Sequence, residues 1–249
     1  MSRYINQAIC VIFFQRVPDI RLKQAVAEKA FAKLFNVQSE QTNVPDEFDP
    51  SVGRILFADA RKQMTISQVA AQLVLGFGRQ SKLKVKDAVD TFEKNAWELF
   101  RGFDRFLGKA AIRETAAIMS LNYPSDADND KMHRHLYERF IKIAPYGDLA
   151  SINLQLGFKT KDKFFLNLAA AVYELRAKEF SPPAVTPVTA VVNVSEIPVV
   201  ERGYELKVDI NTRPQRQEEN FEDMKDPKPL LAKIRKTIQD DADKFIGLE

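Results

Sequence analysis

The feature that most constrains this fold is a long amphipathic stretch that begins at Asp87 and ends at Gly108. Its apolar residues recur every three or four positions, which predicts one face of an α-helix. A glycine just past the last apolar residue is typical of a helix end. A stripe this wide has to be buried against a comparably wide apolar surface. The stripe consists of Val89, Phe92, Ala96, Leu99, Phe100, Phe103, Phe106 and Leu107.

Segments with a two-residue alternation can supply that surface. In the segment from Tyr204 to Asn211, three apolar residues alternate with polar ones, which predicts a strand with one buried face. Short polar turns between such segments favour antiparallel pairing. The sequence therefore predicts an α+β fold, in which long amphipathic helices cover one face of a mostly antiparallel sheet. The other predicted strands are 5–14, 54–58, 64–75, 112–122, 149–158 and 164–175.

The order of the predicted elements suggests an internal duplication. Further helices are predicted over 19–35, 129–143 and 226–247, so that residues 1–108 and 109–249 each run from a strand through a helix and more strands to a helix. We expect these two halves to form one integrated domain. The proline-rich segment 180–200 departs from the pattern and predicts an extended excursion or a sheet edge. Whether 185–194 is a strand stays open.

Composition argues against several classes of protein. The formal net charge of the 249 residues is only +3, which does not by itself indicate a nucleic-acid or membrane partner. No segment reaches the roughly 20 apolar residues of a membrane span, so no membrane partner is expected. The single cysteine, Cys10, lies in an apolar run and cannot form an internal disulfide. A cytoplasmic location is the prediction that follows.

Metal and cofactor motifs fail on inspection. His133 and His135 fall in a helical pattern and point to different sides, so they cannot share a metal ion. The segment 126–137 opens like a calcium loop but lacks the required glycine and the final glutamate. The segment LGFGRQS has Ser81 where a dinucleotide-binding loop has its third glycine. We therefore expect no metal site, no cofactor and no catalytic residue.

One candidate site is the polar side of the strand that contains Val208. Side chains two positions apart share a strand face, so this polar side is a single surface. A glutamate two residues before a lysine also occurs in metal-dependent nucleases, where the carboxylate holds the metal and the lysine orients water. The alternative is an outer strand face that only contacts solvent. The candidate residues are Glu205, Lys207, Asp209, Asn211 and Arg213.

A second candidate site consists of basic residues in the predicted connections. In a duplicated fold, the turns near Arg61 and Lys159 would occupy equivalent corners and could offer phosphate contacts. Basic residues also protect turns and sheet edges from unwanted pairing. The candidate contacts to an anion or a nucleic acid are Arg61, Lys62, Arg79, Lys82, Lys84, Lys86, Lys159, Lys161 and Lys163.

The segments GRILFADARKQMTISQVAAQLVLGF and GYELKVDINTRP, each followed by a long helix, resemble a known family. It is a sporadically distributed, uncharacterised family of bacterial proteins of about this length. The resemblance implies a role in an accessory locus, such as phage defence or toxin–antitoxin pairing. The family has no established catalytic residues to carry over.

The leading hypothesis is a non-enzymatic protein-binding module or adaptor whose protein partner is encoded nearby. The alternative is a nucleic-acid-binding protein or a metal-dependent nuclease that uses the basic turns and the strand with Glu205 and Lys207. A third hypothesis is a small-ligand pocket beneath the duplicated sheet. Self-association stays open.

Overall fold

A single antiparallel sheet organises the protein. The computed structural model describes residues 3–81, 83–177, 197–213 and 226–248. Within them, nine strands form one sheet, and each neighbouring pair is antiparallel. The strands are β1 Tyr4–Phe14, β2 Glu40–Gln41, β3 Ile55–Ala58, β4 Lys62–Ile66, β5 Ala70–Gly76, β6 Ile112–Pro124, β7 Asn153–Lys159, β8 Phe165–Arg176 and β9 Val199–Asn211.

The helices come between and after the strands. They are α1 Gln24–Phe31, α2 Val85–Phe106, α3 Asn129–Phe140, α4 Lys228–Lys236 and α5 Ala242–Ile246. A 3₁₀ turn, Ile20–Lys23, precedes α1, and a π-helical turn, Thr237–Asp241, joins α4 to α5. Helices and a large antiparallel sheet in one chain confirm the α+β class. In the part of the chain that the structure describes, no helix has both the length and the apolar character that spanning a membrane requires.

The strand order places the two halves of the chain side by side. The order across the sheet is β2-β3-β4-β5-β1-β6-β9-β8-β7, so β1 and β6 pair at the centre. Outward from β1 come β5, β4 and β3, and outward from β6 come β9, β8 and β7. In both halves the first strand therefore lies beside the last strand of its own half.

The hydrophobic core lies between the helices and one face of this sheet. Leu206, Val208 and Ile210 are fully buried, as the alternation in β9 predicts. Helix α2 packs against β1 and β5, and α4 packs against β9 and β6. Gly102 lets α2 approach α1 closely, because a Cβ atom at this position would overlap the ring of Phe31. The α2 stripe predicted from sequence is buried from Ala88 to Phe106.

The first helix is shorter than the predicted span 19–35. Residues Ile20–Lys23 form a 3₁₀ turn, and α1 begins only after it. The side chain of Asp19 makes no capping hydrogen bond to either element. The helical spacing of the apolar residues persists beyond Phe31, but the chain leaves the helix there, and Leu34 and Phe35 still reach the core.

The predicted strand 64–75 is two strands, β4 and β5. A tight turn separates them, because the Ser67 hydroxyl oxygen accepts hydrogen bonds from the backbone N–H groups of Val69 and Ala70 at 3.2 and 2.9 Å. Gln68 is fully buried in this turn, and its amide donates to the carbonyls of Pro18 and Asp46. Apolar residues continue on both sides of Ser67 and Gln68, which is why the sequence pattern shows one strand.

The last strand, β9, begins at Val199, five residues before the predicted start at Tyr204. Only residues 197–200 of the predicted excursion 180–200 belong to the described part of the chain. The segment 185–194, whose strand character the sequence leaves open, lies outside the described residues.

A buried arginine fastens the long loop between β2 and β3. Arg54 has no exposed surface, and its guanidinium donates to four backbone carbonyls of residues 45–52. The carboxylate of Asp46 lies 3.6 Å from the Arg54 Nε atom. This loop therefore packs beside β3 as an ordered part of the fold. The four acceptors are the carbonyls of Pro45, Phe48, Asp49 and Val52, at 2.6 to 3.3 Å.

Candidate binding surface on the sheet

The face of the sheet opposite the core carries the predicted polar strand residues. We call this side the outer face and define it by the side chains that alternate with the core residues along each strand. Because Val208 and its neighbours two residues away point into the core, the residues between them point outward. On β9, the outer face therefore holds Glu205, Lys207, Asp209 and Asn211.

The strand register arranges the outer face in rows. One row runs across the sheet from β5 to β8 through Val74, Ile9, Ile118, Asp209 and Asn167. Its first three members are apolar and its last two are polar. Within this row the outer face is thus apolar on β5, β1 and β6, and polar on β9 and β8.

The apolar part of the outer face is centred on β1. Ile9 and Phe13 are half-buried, and Val11 between them is 6% exposed. Val74 of β5 and Ile118 of β6 lie on either side of Ile9 and are also half-buried. The five side chains come from three adjacent strands, so they lie next to one another on the outer face.

Asp209 is the centre of the polar part. Its carboxylate accepts hydrogen bonds from the side-chain amides of Asn167 at 3.1 Å and Asn211 at 3.4 Å. Asp209 is half-buried, whereas Lys207 is exposed. Two amides on one carboxylate make a fixed hydrogen-bonding group, which suits recognition better than proton transfer.

Arg213 and Glu114 lie beside this cluster. Arg213 Nε is 3.4 Å from Glu114 Oε1, and the Glu114 side chain is only 7% exposed. A shallow groove of about 520 Å³ passes these two residues, and Phe13, Arg16 and Arg113 also line it. The groove therefore brings the Arg213–Glu114 pair next to Phe13 of the apolar patch.

A second polar cluster lies at the opposite end of β9. The carboxylate of Glu201 accepts hydrogen bonds from the hydroxyls of Tyr4 at 2.6 Å and Tyr173 at 2.7 Å. Arg79 pairs with its other oxygen at 3.2 Å, and the Glu201 side chain is 6% exposed. The cluster joins β1, β8 and β9 with the connection before α2.

Both tyrosines in this cluster are held in their neutral form. Burial, with a smaller effect of the hydrogen bond to Glu201, raises the pKa of Tyr4 to about 12. The same two causes raise the pKa of Tyr173 further above its ordinary value. A phenol that stays protonated at neutral pH is not a base or a nucleophile there. The hydrogen bonds of the two phenols to Glu201 connect β1 and β8 with β9.

The predicted basic residues are divided between opposite ends of the sheet. The Arg61 turn lies at the end of the sheet where β1 begins. Gly76 donates its N–H to the Arg61 carbonyl, and Gly76 is also the partner of Gln7 near the start of β1. The turn from Lys159 to Lys163 lies at the other end, beside the last residues of β9. The structure does not bring these two groups together.

Several residues of the first basic group already have partners within the fold. Lys62 donates to the Leu34 carbonyl at 2.6 Å and lies over the Phe35 ring. Arg79 pairs with Glu201, as described above. Arg61, Lys84 and Lys86 are exposed, and Lys82 lies outside the described residues.

The second basic group lies on the hairpin between β7 and β8. Lys159, Lys161 and Lys163 are exposed. Lys163 adopts a left-handed backbone conformation with φ of 62°, as the tight turn requires. Asp162 of the same turn pairs with Lys233 of α4 at 2.8 Å, which ties this hairpin to the helix.

No metal-binding group of three or more His, Cys, Asp or Glu side chains occurs among residues 3–81, 83–177, 197–213 and 226–248. His135 shares a hydrogen bond of 2.9 Å with the Ile246 carbonyl, and its ring packs against Tyr204. Glu205 and Lys207 lie on the outer face, and Asp209 is the next carboxylate along the same side of β9.

Sequence reasoning missed the structural roles of Glu201 and Glu114. Their burial depends on partners that are distant in the sequence. For Glu201 these partners are Tyr4 on β1 and Tyr173 on β8. Glu114 falls within the predicted strand 112–122, whereas Glu201 precedes the predicted start of the last strand at Tyr204, so the sequence pattern carries no signal for its burial.

Comparisons with known proteins add no relative. No family model matches the chain, and neither a curated protein nor a solved structure does.

Proposed function

We propose that this protein is a non-enzymatic protein-binding module whose partner docks on the outer face of the sheet. The observation that carries the proposal is the apolar patch of Ile9, Val11, Phe13, Val74 and Ile118, which lies beside the polar strand β9. A central apolar area with a polar border is the usual composition of a protein interface.

The charges of the border favour a protein over a nucleic acid as the partner. Glu205 and Asp209 alternate with Lys207 along β9, so the two signs are mixed. A nucleic-acid surface needs a continuous positive track, and the basic groups here lie at opposite ends of the sheet. Aspartate and asparagine in a fixed hydrogen-bonded cluster can give the border its specificity.

The cellular setting of this module is part of the same proposal. The resemblance described above supports a bacterial accessory locus of the phage-defence or toxin–antitoxin type, with the partner encoded nearby. A cytoplasmic location fits Cys10, whose thiol is fully buried and whose pKa burial raises to about 12. Such a thiol is inert and suits a reducing compartment.

We also infer that the two halves, residues 1–108 and 109–249, arose by duplication and form one integrated domain. Support comes from the matching succession of β5, β4 and β3 beside β1, and of β9, β8 and β7 beside β6. In this arrangement α2 and α4 are counterparts that cover the core face of the sheet. Arg235 of α4 links them by ion pairs of 2.6 Å to Asp90 and Glu93 of α2.

The experiment measures binding of the purified chain to the products of adjacent genes by calorimetry. Lys207→Glu reverses an exposed charge on the outer face and is expected to weaken binding at least tenfold. Lys236→Glu makes the same change on an exposed position of α4 and should leave the affinity unchanged, so it is the matched control.

Two outcomes would contradict the proposal. One is that no neighbouring product binds, or that both charge reversals have equal effects. The other is salt-dependent binding to DNA or RNA, with Mg²⁺-dependent cleavage that Glu205→Ala abolishes, which would establish the nuclease alternative.

A further inference from the structure

Strand β7 is an open edge of the sheet with apolar side chains. It pairs with β8 on one side and is the last strand in the order, so the other side has no strand among the described residues. Leu156 is 38% exposed and Phe158 is 45% exposed. An edge of seven residues with such side chains is a template for pairing with another strand.

The hairpin geometry determines which backbone groups of β7 point outward. Thr160 N–H donates to the Phe164 carbonyl at 2.8 Å, so these two opposite residues are a hydrogen-bonded pair. Hydrogen-bonded and non-hydrogen-bonded pairs alternate along an antiparallel ladder. Leu154, Leu156 and Phe158 therefore direct their N–H and C=O groups to β8. The outward groups belong to Asn153, Gln155, Gly157 and Lys159.

We propose that β7 pairs antiparallel with β7 of a second copy of this chain, with the twofold axis at Leu156. In this register, Asn153 faces Lys159 of the second copy, and Gln155 faces Gly157. All four outward residues then meet outward residues, so the two strands present their N–H and C=O groups to each other.

The side chains of β7 fit this register as well as the backbone does. Leu156 meets itself across the axis, and Leu154 meets Phe158, so one face of the junction is apolar throughout. Lys159 faces the neutral Asn153 and not another lysine, which avoids the repulsion of like charges in opposite positions. Because β7 is complementary to its own antiparallel copy, we infer that the strand that pairs with this edge belongs to a second copy of the chain.

The pairing closes at two copies. At the other end of the sheet, β2 has only two residues and the loop fastened by Arg54 lies beside β3, so that edge offers no second template. A twofold contact of one seven-residue strand is smaller than a standard protein interface, so we expect a weak and reversible dimer.

Disulfide trapping tests the register. Residues opposite each other in a non-hydrogen-bonded pair have Cα atoms about 4.5 Å apart, which a disulfide can span. Leu156→Cys is therefore expected to give a covalent dimer under mild oxidation. Leu154→Cys alone should not, because the two cysteines would be about 14 Å apart along the strands.

The double variant Leu154→Cys/Phe158→Cys should crosslink again, since these positions face each other. Cys10 does not interfere, because it is fully buried. Crosslinking of Leu154→Cys in preference to Leu156→Cys, or no crosslinking of any variant at 200 μM protein, would overturn the proposal. Circular dichroism verifies that each variant is folded.

Sedimentation of the uncrosslinked chain supplies an independent test. The natural sequence should show a monomer–dimer equilibrium without larger species. Leu156→Lys and Leu156→Glu should each be monomeric, and an equimolar mixture should restore the dimer, because the two charges then face each other. A natural chain that stays monomeric up to 500 μM, or a mixture that fails to dimerise, would refute the pairing. Neither result depends on the partner of the outer face.

Discussion

The two edge strands of the sheet, β2 and β7, differ in what lies beside them. The first edge, at β2 and β3, lies beside a loop that Arg54 and Gln68 fasten through backbone carbonyls. The second edge, β7, has exposed apolar residues and no such loop in the described part of the chain. An edge strand without protection is an aggregation risk, so proteins normally block it. The difference indicates that one edge is closed and the other is kept for pairing.

The largest expected effect concerns the closed edge. Arg54→Ala should lower the free energy of unfolding by about 3 kcal/mol, because buried carbonyls that lose a charged donor cost roughly 1–3 kcal/mol each and the loop can relax only in part. Urea denaturation measures the change. Arg54→Lys should recover little of the loss, since a lysine cannot reach four carbonyls with a planar group.

Arg61→Ala is the matched control for that loss. Arg61 is exposed at the turn after β3, and its removal should change stability by less than about 0.5 kcal/mol. Equal destabilisation by the two alanine variants would show that Arg54 does not fasten the first edge.

An intermediate effect distinguishes the two sides of β7. Leu156→Pro removes an N–H group that bonds to β8 and should cost about 1–3 kcal/mol. Gln155→Pro removes an outward N–H group and should cost less than about 1 kcal/mol, since proline is tolerated at edge strands. Thermal and urea denaturation of the monomers measure both.

The same proline at position 155 should abolish the dimer while the chain remains folded. If Gln155→Pro destabilised the monomer as much as Leu156→Pro, the N–H of Gln155 would not point outward, and the open-edge interpretation of β7 would be wrong.

The smallest effect compares the helices that follow β1 and β6. Asp128 caps α3 by accepting a hydrogen bond from the Lys131 N–H at 2.8 Å, whereas Asp19 makes no cap at the start of the first helical segment. Asp128→Ala should lower Tm by about 2 °C and Asp19→Ala should not change it.

The contribution of this cap depends on pH in a defined direction. The Lys131 backbone N–H lowers the pKa of Asp128 below its ordinary value of 3.8. The stabilisation is therefore present at neutral pH and is lost as the pH falls through the lowered pKa. Above pH 5 the difference in Tm between the natural chain and Asp128→Ala should be constant, and it should shrink in stronger acid. A constant difference down to pH 2 would argue against the cap.

Much of the fold can be predicted from the distribution of apolar residues. The α2 stripe and the core side of β9 follow from apolar spacing, whereas β1 and β6 follow from nearly continuous apolar runs. The turn at Ser67 cannot be found in this way, since apolar residues stand on both sides of it and the polar Gln68 is itself buried where the chain reverses direction.

The candidate site is less visible in the sequence than the fold. The shared face of Glu205, Lys207 and Asp209 follows from their spacing, but the apolar patch does not. Ile9, Val74 and Ile118 come from three distant segments, and each belongs to an almost continuous apolar run in which core and outer positions look alike. Buried arginines are equally hidden, because their acceptors are main-chain carbonyls that every residue possesses.

The pairing of β1 with β6 has a consequence for synthesis on the ribosome. Tyr4–Phe14 emerges first, and its neighbour Ile112–Pro124 follows about a hundred residues later. At roughly 5–20 residues per second, one side of a very apolar strand waits about 5–20 s for its neighbour. This delay leaves apolar surface of the nascent chain exposed, so slowing translation before codon 112 should increase misfolded product.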